Sequence, residues 1–456
     1  ELQEIESSLP NDVNEKNRAT QGLVLAMQSR VALYAASIAK YGALRTPSVI
    51  LPGGEVGIPA SMATKYYETS LAAAKKLIGM NTYALYMKES PTLEERYSKI
   101  FYDKSGNPEV IFAEDFKLKS GKTIPFTILN QPFAGTEEPG DAGRVNPTLN
   151  LVQSFEKLDN TFAPLTKTNA NDLLVDENNE LLVFDQPQDL FAGRDARLGG
   201  TIILPGTKFK GKEVDIWAGW MVPATNKIYD ASAPGNQGVD PLPGKTVREQ
   251  SIGGSGPVLS FFRAAQTGFY LRKYLDPTPG SGQRGSGSEV WWIRYRYAEV
   301  LLNAAEAAFE LGQGADATDY INQVRRRAGF KTDLIPAEVT FNRIAHERKV
   351  ELAFEGHELW DYKRWRIADI VWDGSRNDLT SMPGDIMQPS TRPFALWPFK
   401  VYDQADPDHK NQKWVFKRVL WDQLSGADRF ALGNYYSEIS NEVINRNPKI
   451  VRNPNQ

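Results

Sequence analysis

The stretch RYRYAEVLLNAAEAAFELGQGADATDYINQVRRRA, residues 294–328, decides the fold. On a helical wheel Val300, Leu301, Ala304, Ala307, Ala308 and Leu311 share one face, and Leu302, Ala305 and Phe309 widen the apolar arc towards two-thirds of the circumference. A helix apolar over so wide an arc needs neighbours on two sides. Gly312 and Gly314 break the run, and a second helix follows over 315–328 with Ala317, Tyr320, Ile321 and Val324 inward. Two antiparallel helices with alanine-rich contacts make one unit of a tetratricopeptide-like array. Glu299, Asn303, Glu306 and Glu310 line up opposite the apolar arc and are expected to form a solvated or helix-bonding face.

Working outward, residues 19–41 place Leu23, Met27, Val31, Tyr34, Ile38 and Tyr41 at helical spacing, and residues 60–78 do the same with Ala63, Tyr67, Leu71, Ala74 and Ile78. Residues 338–355 and 357–370 read as a further helix pair broken at Gly356. The helices of the C-terminal half are expected to begin at Arg294. Between 109 and 290 the character changes: EVIFAEDF (109–116) and IPFTIL (124–129) read as short strands, separated by turn-rich runs such as ASAPGNQGVDPLPGKT (231–246) and PTPGSGQRGSGSE (277–289). FALWPFK (394–400) and KWVFKRV (413–419) read as a hairpin, followed by an extended tail from 434. The predicted fold class is mainly α, a tetratricopeptide-like helical-repeat scaffold with an interlocked loop-rich region containing short β-hairpins. Residues 1–456 are expected to form a single unit, divided into helical parts 19–78 and 294–370, the loop-rich mixed region 109–290, and the hairpin and tail 371–456.

The chain has 456 residues, with 41% hydrophobic and 24% charged, enough to bury a sizeable core. Its 53 Lys and Arg against 56 Asp and Glu leave a net charge of −3 with no block of one sign, which argues against a nucleic-acid partner. Cysteine is absent, so disulfides, thiolate metal sites and a cysteine nucleophile are excluded. Three histidines leave little room for a histidine-rich metal site. GTKFKGKE (206–213) matches G-x4-G-K, but Glu213 stands where a phosphate loop needs a hydroxyl, so a hairpin turn is expected there. HERKVE (346–351) starts like H-E-x-x-H but has Val350 in place of the second histidine. No cofactor and no metal are expected.

Residues 341–355 put charge on an apolar face. With Phe341 as reference, Arg348 and Glu355 lie beside Ile344, Ala345 and Leu352, and Glu351 lies just beyond. Buried charges must be paired, and Arg325, Arg326, Arg327 and Arg364 are expected partners. The alternative is a glycosidase acid and base in Glu351 and Glu355 on adjacent helical turns. The 10 Trp are about twice ordinary usage. Trp217 and Trp220 in DIWAGWMVP, the nearby Tyr229, and Trp372 in IVWDGSRND stand in loop-like sequence, where a ring offers a flat face to a sugar. They are the expected ligand-binding residues; Trp291, Trp292, Trp360, Trp365, Trp397 and Trp414 are expected to pack in regular elements.

Three linked motifs, IRYRYAEVLLNAAEAAFELG (293–312), ATDYINQVRRRAGF (317–330) and IAHERKVELAFEGHELWDYKRW (344–365), resemble the SusD/RagB family of outer-membrane glycan- and nutrient-binding lipoproteins of Bacteroidetes-type bacteria. NRATQGLVLAMQSRVALYAASIAKYG (17–42), YYETSLAAAKKLI (66–78), GRDARLGGTIILPG (193–206) and YYSEISNEVINRNPKIVRNP (435–454) extend the resemblance over nearly the whole chain. Family members begin with a lipoprotein signal, a lipidated cysteine and further N-terminal helices. None of these stands here, so a truncated or processed chain is expected. The resemblance implies a non-catalytic surface protein that binds an oligosaccharide and delivers it to a SusC-like TonB-dependent transporter, touching the membrane only through a lipid anchor absent from this sequence. It implies no particular ligand residues, because the site varies between members. A peptide or other nutrient bound by a helical scaffold is the remaining alternative.

Overall fold

A computed structural model describes the chain except residues 43, 45–55, 139–140, 231–241, 246–252, 260, 262, 285–286, 376–382, 407 and 421–428. The first helices are α1 (Leu2–Glu6), α2 (Gln21–Gly42), α3 (Ala63–Gly79) and α4 (Leu93–Lys99). α2 is long and apolar enough to cross a membrane by length and composition, yet in this fold most of its apolar surface is buried against other helices. The expected stripe on α2 is out of phase: Val31 is 56% exposed, while Ala32, Leu33, Ala36 and Ala39 face inward. Small residues decide the phase because they let the α3 backbone come close, and Ser70 Oγ donates to Ser29 O at 2.8 Å across that contact.

The middle of the chain holds α5 (Phe126–Asn130), α6 (Leu149–Val152) and α7 (Arg197–Thr201). IPFTIL is therefore helical rather than extended, entered through Pro125, whose fixed φ suits a helix start. EVIFAEDF does form a strand, β1 (Val110–Glu114). Next come β2 (Ile202–Ile203), β3 (Lys208–Phe209), β4 (Lys212–Glu213), β5 (Gly219–Val222), β6 (Lys227–Asp230), β7 (Tyr270–Leu271) and β8 (Trp292–Arg296). β3 and β4 form the expected hairpin, with Lys210 and Gly211 both at positive φ (50° and 77°), as a twisted two-residue turn requires. The run 231–246 lies largely outside the described residues.

The C-terminal helices are α8 (Tyr297–Glu310), α9 (Gly314–Arg327), α10 (Phe341–Glu351), α11 (Glu358–Arg364) and α12 (Ala368–Val371), and α13 (Asn441–Arg446) lies near the end of the chain. Arg294 belongs to β8, which pairs with β1, so the helices begin three residues later than expected. α10 starts at Phe341 rather than 338 because Thr340 Oγ1 accepts from Arg343 N at 3.2 Å and caps it there. The expected helix over 357–370 divides into α11 and α12, with Arg366 between them at φ 59°. The tail expected to be extended contains α13, capped by Ser440.

β9 (Phe394–Val401) and β10 (Trp414–Leu420) form the expected antiparallel hairpin. The segment expected to be a loop, DIWAGWMVP, supplies β5, which joins β9 in parallel; β6 then completes a four-stranded sheet ordered β10-β9-β5-β6. Tertiary pairing overrode the local glycine signal at Gly219.

α8 is buried all round, as its wide apolar arc requires, and one apolar cluster joins it to α2, α3 and α9. The solvated reading of its polar residues is overturned. Glu299 takes Arg30 of α2 at 2.5 Å, Asn303 takes Arg348 of α10 at 2.7 Å, Glu306 takes Arg364 of α11 at 2.6 Å, and Glu310 takes Lys40 and Tyr41 of α2. Each of these four residues bonds to a neighbouring helix, the helix-bonding reading of the face, which converts a costly face into one that selects its partners.

Candidate functional site

Three constellations carry chemistry. The first surrounds Glu351 and Glu355 at the end of α10. Glu351 accepts from Arg296 at 2.5 Å, from Arg197 at 3.0 Å and from Arg327, while Glu355 accepts from Arg296 at 2.6 Å and Lys273 at 2.9 Å. Glu109 bridges Arg296 and Arg327 at 2.8 and 2.9 Å, and Glu347 bridges Arg197 and Arg325 at 2.5 and 2.9 Å. Burial raises a carboxyl by itself, but the surrounding guanidinium groups outweigh it and hold Glu351 well below the usual range and Glu347 at about 2. Neither Glu351 nor Glu355 has space for a substrate or a raised value for a general acid, so their glycosidase reading is not supported. The ion-pair reading holds: the expected Arg327 binds Glu351 and the expected Arg325 binds Glu347, joined by partners that were not expected. Arg197 and Lys273 come from the loop-rich part of the chain and Arg296 from the end of β8, while Arg364 serves Glu306 and Arg326 pairs at the surface with Asp333.

Beside this network, Glu156, His346 and Glu347 bring potential ligand atoms within 4.8 Å of one another. Arg325 and Arg343 already bind Glu156, and Arg197 and Arg325 bind Glu347. That positive charge opposes a cation, so the trio fits an ion-pair cluster.

The second constellation is a cleft of about 600 Å³ between the end of α10, the start of α11 and the 390–393 segment. Trp372 lines it, half-buried on Tyr362 and Phe430 at ring separations of 5.1 and 6.1 Å. Trp360 lines it too and is 53% exposed, against the expectation that it packs in the core. One turn of α11 separates it from the inward side, and Trp365 takes the buried place, with its Nε1 donating to Glu306 at 2.8 Å. Nothing in the local pattern EGHELWDYKRW says which indole faces out, because the answer depends on where α2 and α8 lie. Thr148, Lys349, Glu358 and Ser390 supply polar groups around the two indoles.

The third constellation is on the four-stranded sheet. Trp217 and Trp220 are 6% and 7% exposed and meet edge to face at 5.6 Å, so neither presents an open platform. Both are buried by the side chains packed on them, Leu242, Val258, Ala264 and Tyr402. Trp217 Nε1 donates to Asp215 at 2.6 Å. Tyr229, on β6 opposite Trp220, is half-buried under the Lys227 ammonium. The structure thus brings Trp217, Trp220 and Tyr229 together and leaves Trp372 in the separate cleft. Two residues missed in the sequence complete this cluster: Trp414 and Lys400, whose ammonium lies 4.0 Å from the Trp217 ring centre and 5.5 Å from that of Trp414. The 394–400 and 413–419 hairpin pattern held the signal for that pairing, but only the sheet order puts it next to β5.

The SusD family profile matches residues 108–455. Among curated relatives, SusD-like protein P2 of Formosa agariphila is 34% identical over 137 residues, covering 25% of this chain and 27% of that protein. SusD-like protein P25 of the same species is 42% identical over 88 residues, 18% of this chain and 16% of that one, so these matches span about a quarter or less of the relatives' length. Among solved structures, a SusD-like protein from Bacteroides fragilis shares the fold with a TM-score of 0.62 at 20% identity, over 100% of this chain and 69% of its own. A SusD-like carbohydrate binding protein from the same species does so with a TM-score of 0.56 at 20% identity, over 98% and 68%. The helical scaffold with its small sheets is thus the fold of these proteins, and with the profile matched over most of its length the chain belongs to the SusD family.

Proposed function

We propose that this protein binds an oligosaccharide at the bacterial cell surface and delivers it to a SusC-like TonB-dependent transporter in the outer membrane, without catalysing a reaction on it. The observation that carries the reading is the cleft of about 600 Å³ with Trp360 exposed and Trp372 half-buried on its lining. Two indoles with hydroxyl, amine and carboxylate groups around them suit the apolar C–H face and the hydroxyl rim of sugar rings. Membership of the SusD family and the carbohydrate-binding function of the similar B. fragilis protein support it. Of the residues expected from sequence, Trp372 takes the stacking role here, whereas Trp217, Trp220 and Tyr229 act from the sheet. Affinity is modest, because an open cleft leaves much of the ligand in water. The helices supply the docking surface for the transporter, and the lipid anchor of family members supplies the membrane contact.

Calorimetric titration with a panel of neutral oligosaccharides tests the reading. Binding of at least one, weakened by Trp360→Ala and Trp372→Ala, is the expected result. No heat with any sugar overturns it in favour of a peptide or other nutrient ligand on a helical scaffold.

A further inference from the structure

The four-stranded sheet carries a row of side chains that crosses all its strands. Trp414 of β10 is paired with Lys400 of β9, Lys400 with Trp220 of β5, and Trp220 with Tyr229 of β6. Directly paired residues project to one face, so an indole, an ammonium, an indole and a phenol stand side by side. Lys400 Nζ lies 4.0, 5.7 and 5.5 Å from the ring centres of Trp217, Trp220 and Trp414.

Among the described residues the Lys400 ammonium makes no hydrogen bond or ion pair. The nearby Asp215 is turned to other donors, accepting from Trp217 Nε1 at 2.6 Å and from Gly254 N at 2.8 Å. Glu213 is the other carboxylate in its surroundings and is exposed on β4. A cleft of about 440 Å³ opens beside Lys400 and Trp414. The other charged residues of its lining are already paired: Lys413 with Asp185 across the cleft, and Lys410 with Asp408, just outside the lining, at 3.1 Å. Gln186, Asn411 and Gln412 complete the lining with amides. What is left over is one ammonium held against three ring faces, which stabilise a cation without satisfying its N–H donors. In the Trp360–Trp372 cleft, by contrast, Lys349 is 3.6 Å from Glu358 and its charge is already matched.

We propose that this second cleft is a binding subsite for an acidic sugar unit, a uronate or a sulfated ring, with Lys400 pairing with the acid group and the half-buried Trp414 stacking on the ring. The subsite rests on the glycan-binding reading for its ligand class but not on the Trp360–Trp372 cleft. Trp217 and Trp220 are positioning residues that hold the ammonium at the cleft, which accounts for two buried tryptophans that offer no open platform.

The test is titration of the whole protein with three ligand sets: neutral oligosaccharides, oligogalacturonides and sulfated oligosaccharides, each at 50 and 500 mM NaCl. Wild type is expected to bind one of the acidic sets at least tenfold more tightly than neutral sugars, with the advantage lost at high salt. Comparison of the carboxylate and sulfate sets identifies the acid. Lys400→Met is expected to abolish the advantage of the acidic set over neutral sugars, and Lys400→Arg to retain it. Acidic ligands that bind no better than neutral ones, or an advantage that survives high salt and Lys400→Met, overturn the subsite alone. No binding by any of the three sets overturns the glycan reading and the subsite with it. Should Lys400→Met fail to fold, the salt dependence of wild type and the Trp414→Ala variant decide the matter.

Discussion

The ammonium of Lys400 lies 4.0 Å from the centre of the Trp217 ring. That relationship reverses the meaning of a tryptophan in a glycine-containing segment: the ring that suggested an open platform is instead covered, and one of the things covering it is a cation.

Trp360 and Trp372 separate binding from stability. Trp360 is exposed, so Trp360→Ala is expected to change unfolding free energy by no more than about 0.5 kcal/mol. Trp372 packs on Tyr362 and Phe430, so Trp372→Ala is expected to cost roughly 1–3 kcal/mol. Both are expected to weaken oligosaccharide binding about tenfold or more, measured by calorimetry beside a denaturant melt. Unchanged affinity in both variants moves the ligand away from this cleft.

Glu351→Gln leaves the buried guanidinium groups of Arg296, Arg327 and Arg197 short of a counter-charge. The expected loss is about 3–5 kcal/mol, read from urea denaturation, because breaking a buried pair strands its partner. A reducing-sugar assay is expected to read the same in wild type and variant. Hydrolysis that vanishes with the substitution restores Glu351 as a catalytic carboxylate.

Acidification is expected to destabilise the fold in two stages. Burial pushes the His346 imidazole down to about 4, so the unfolded chain takes up that proton first, and stability is lost as pH falls from about 6.5 towards 4. Burial would raise Glu299, Glu347 and Asp361, yet Arg30, Arg197 with Arg325, and Arg348 with Arg364 hold them at about 2. These folded values lie below the ordinary 4.5, 4.5 and 3.8, so the stability they contribute is complete above about pH 4.5 and is lost on the way down to 2. Asp195, which burial raises, works in the opposite direction but is a single group. Thermal melts from pH 7 to 3 check this, and a Tm that climbs below pH 6 contradicts it.

Gly268 is irreplaceable for a local reason. Its φ is 88°, and a Cβ there would meet Leu396 O at 2.0 Å, in the contact where Leu396 N donates to Thr267 O at 2.9 Å. Gly268→Ala is expected to destabilise by more than about 1 kcal/mol, beyond the usual cost of αL strain, because the clash is with backbone of β9 and cannot be relieved by a rotamer. A melt within 2 °C of wild type sinks this.

The helices were legible because their information is local and periodic. The wide apolar arc of 297–310 requires burial on every side and the Lys210–Gly211 turn announces itself, whereas the caps at Thr340 and Ser440 set helix starts that differ from the expected start at 338 and the expected extended tail. By itself the sequence determined the mainly α scaffold, the β9–β10 hairpin and the need for buried partners around Glu351. Only the tertiary structure decided who those partners are, since Arg197, Lys273 and Arg296 are 154, 78 and 55 residues from it in the chain. It also decided which tryptophans face solvent. A ring's exposure depends on what packs over it: Trp360 of α11 stays 53% exposed, while Trp220 of β5 and the preceding Trp217 close against Leu242, Val258, Ala264 and Tyr402, neighbours that no local pattern encodes.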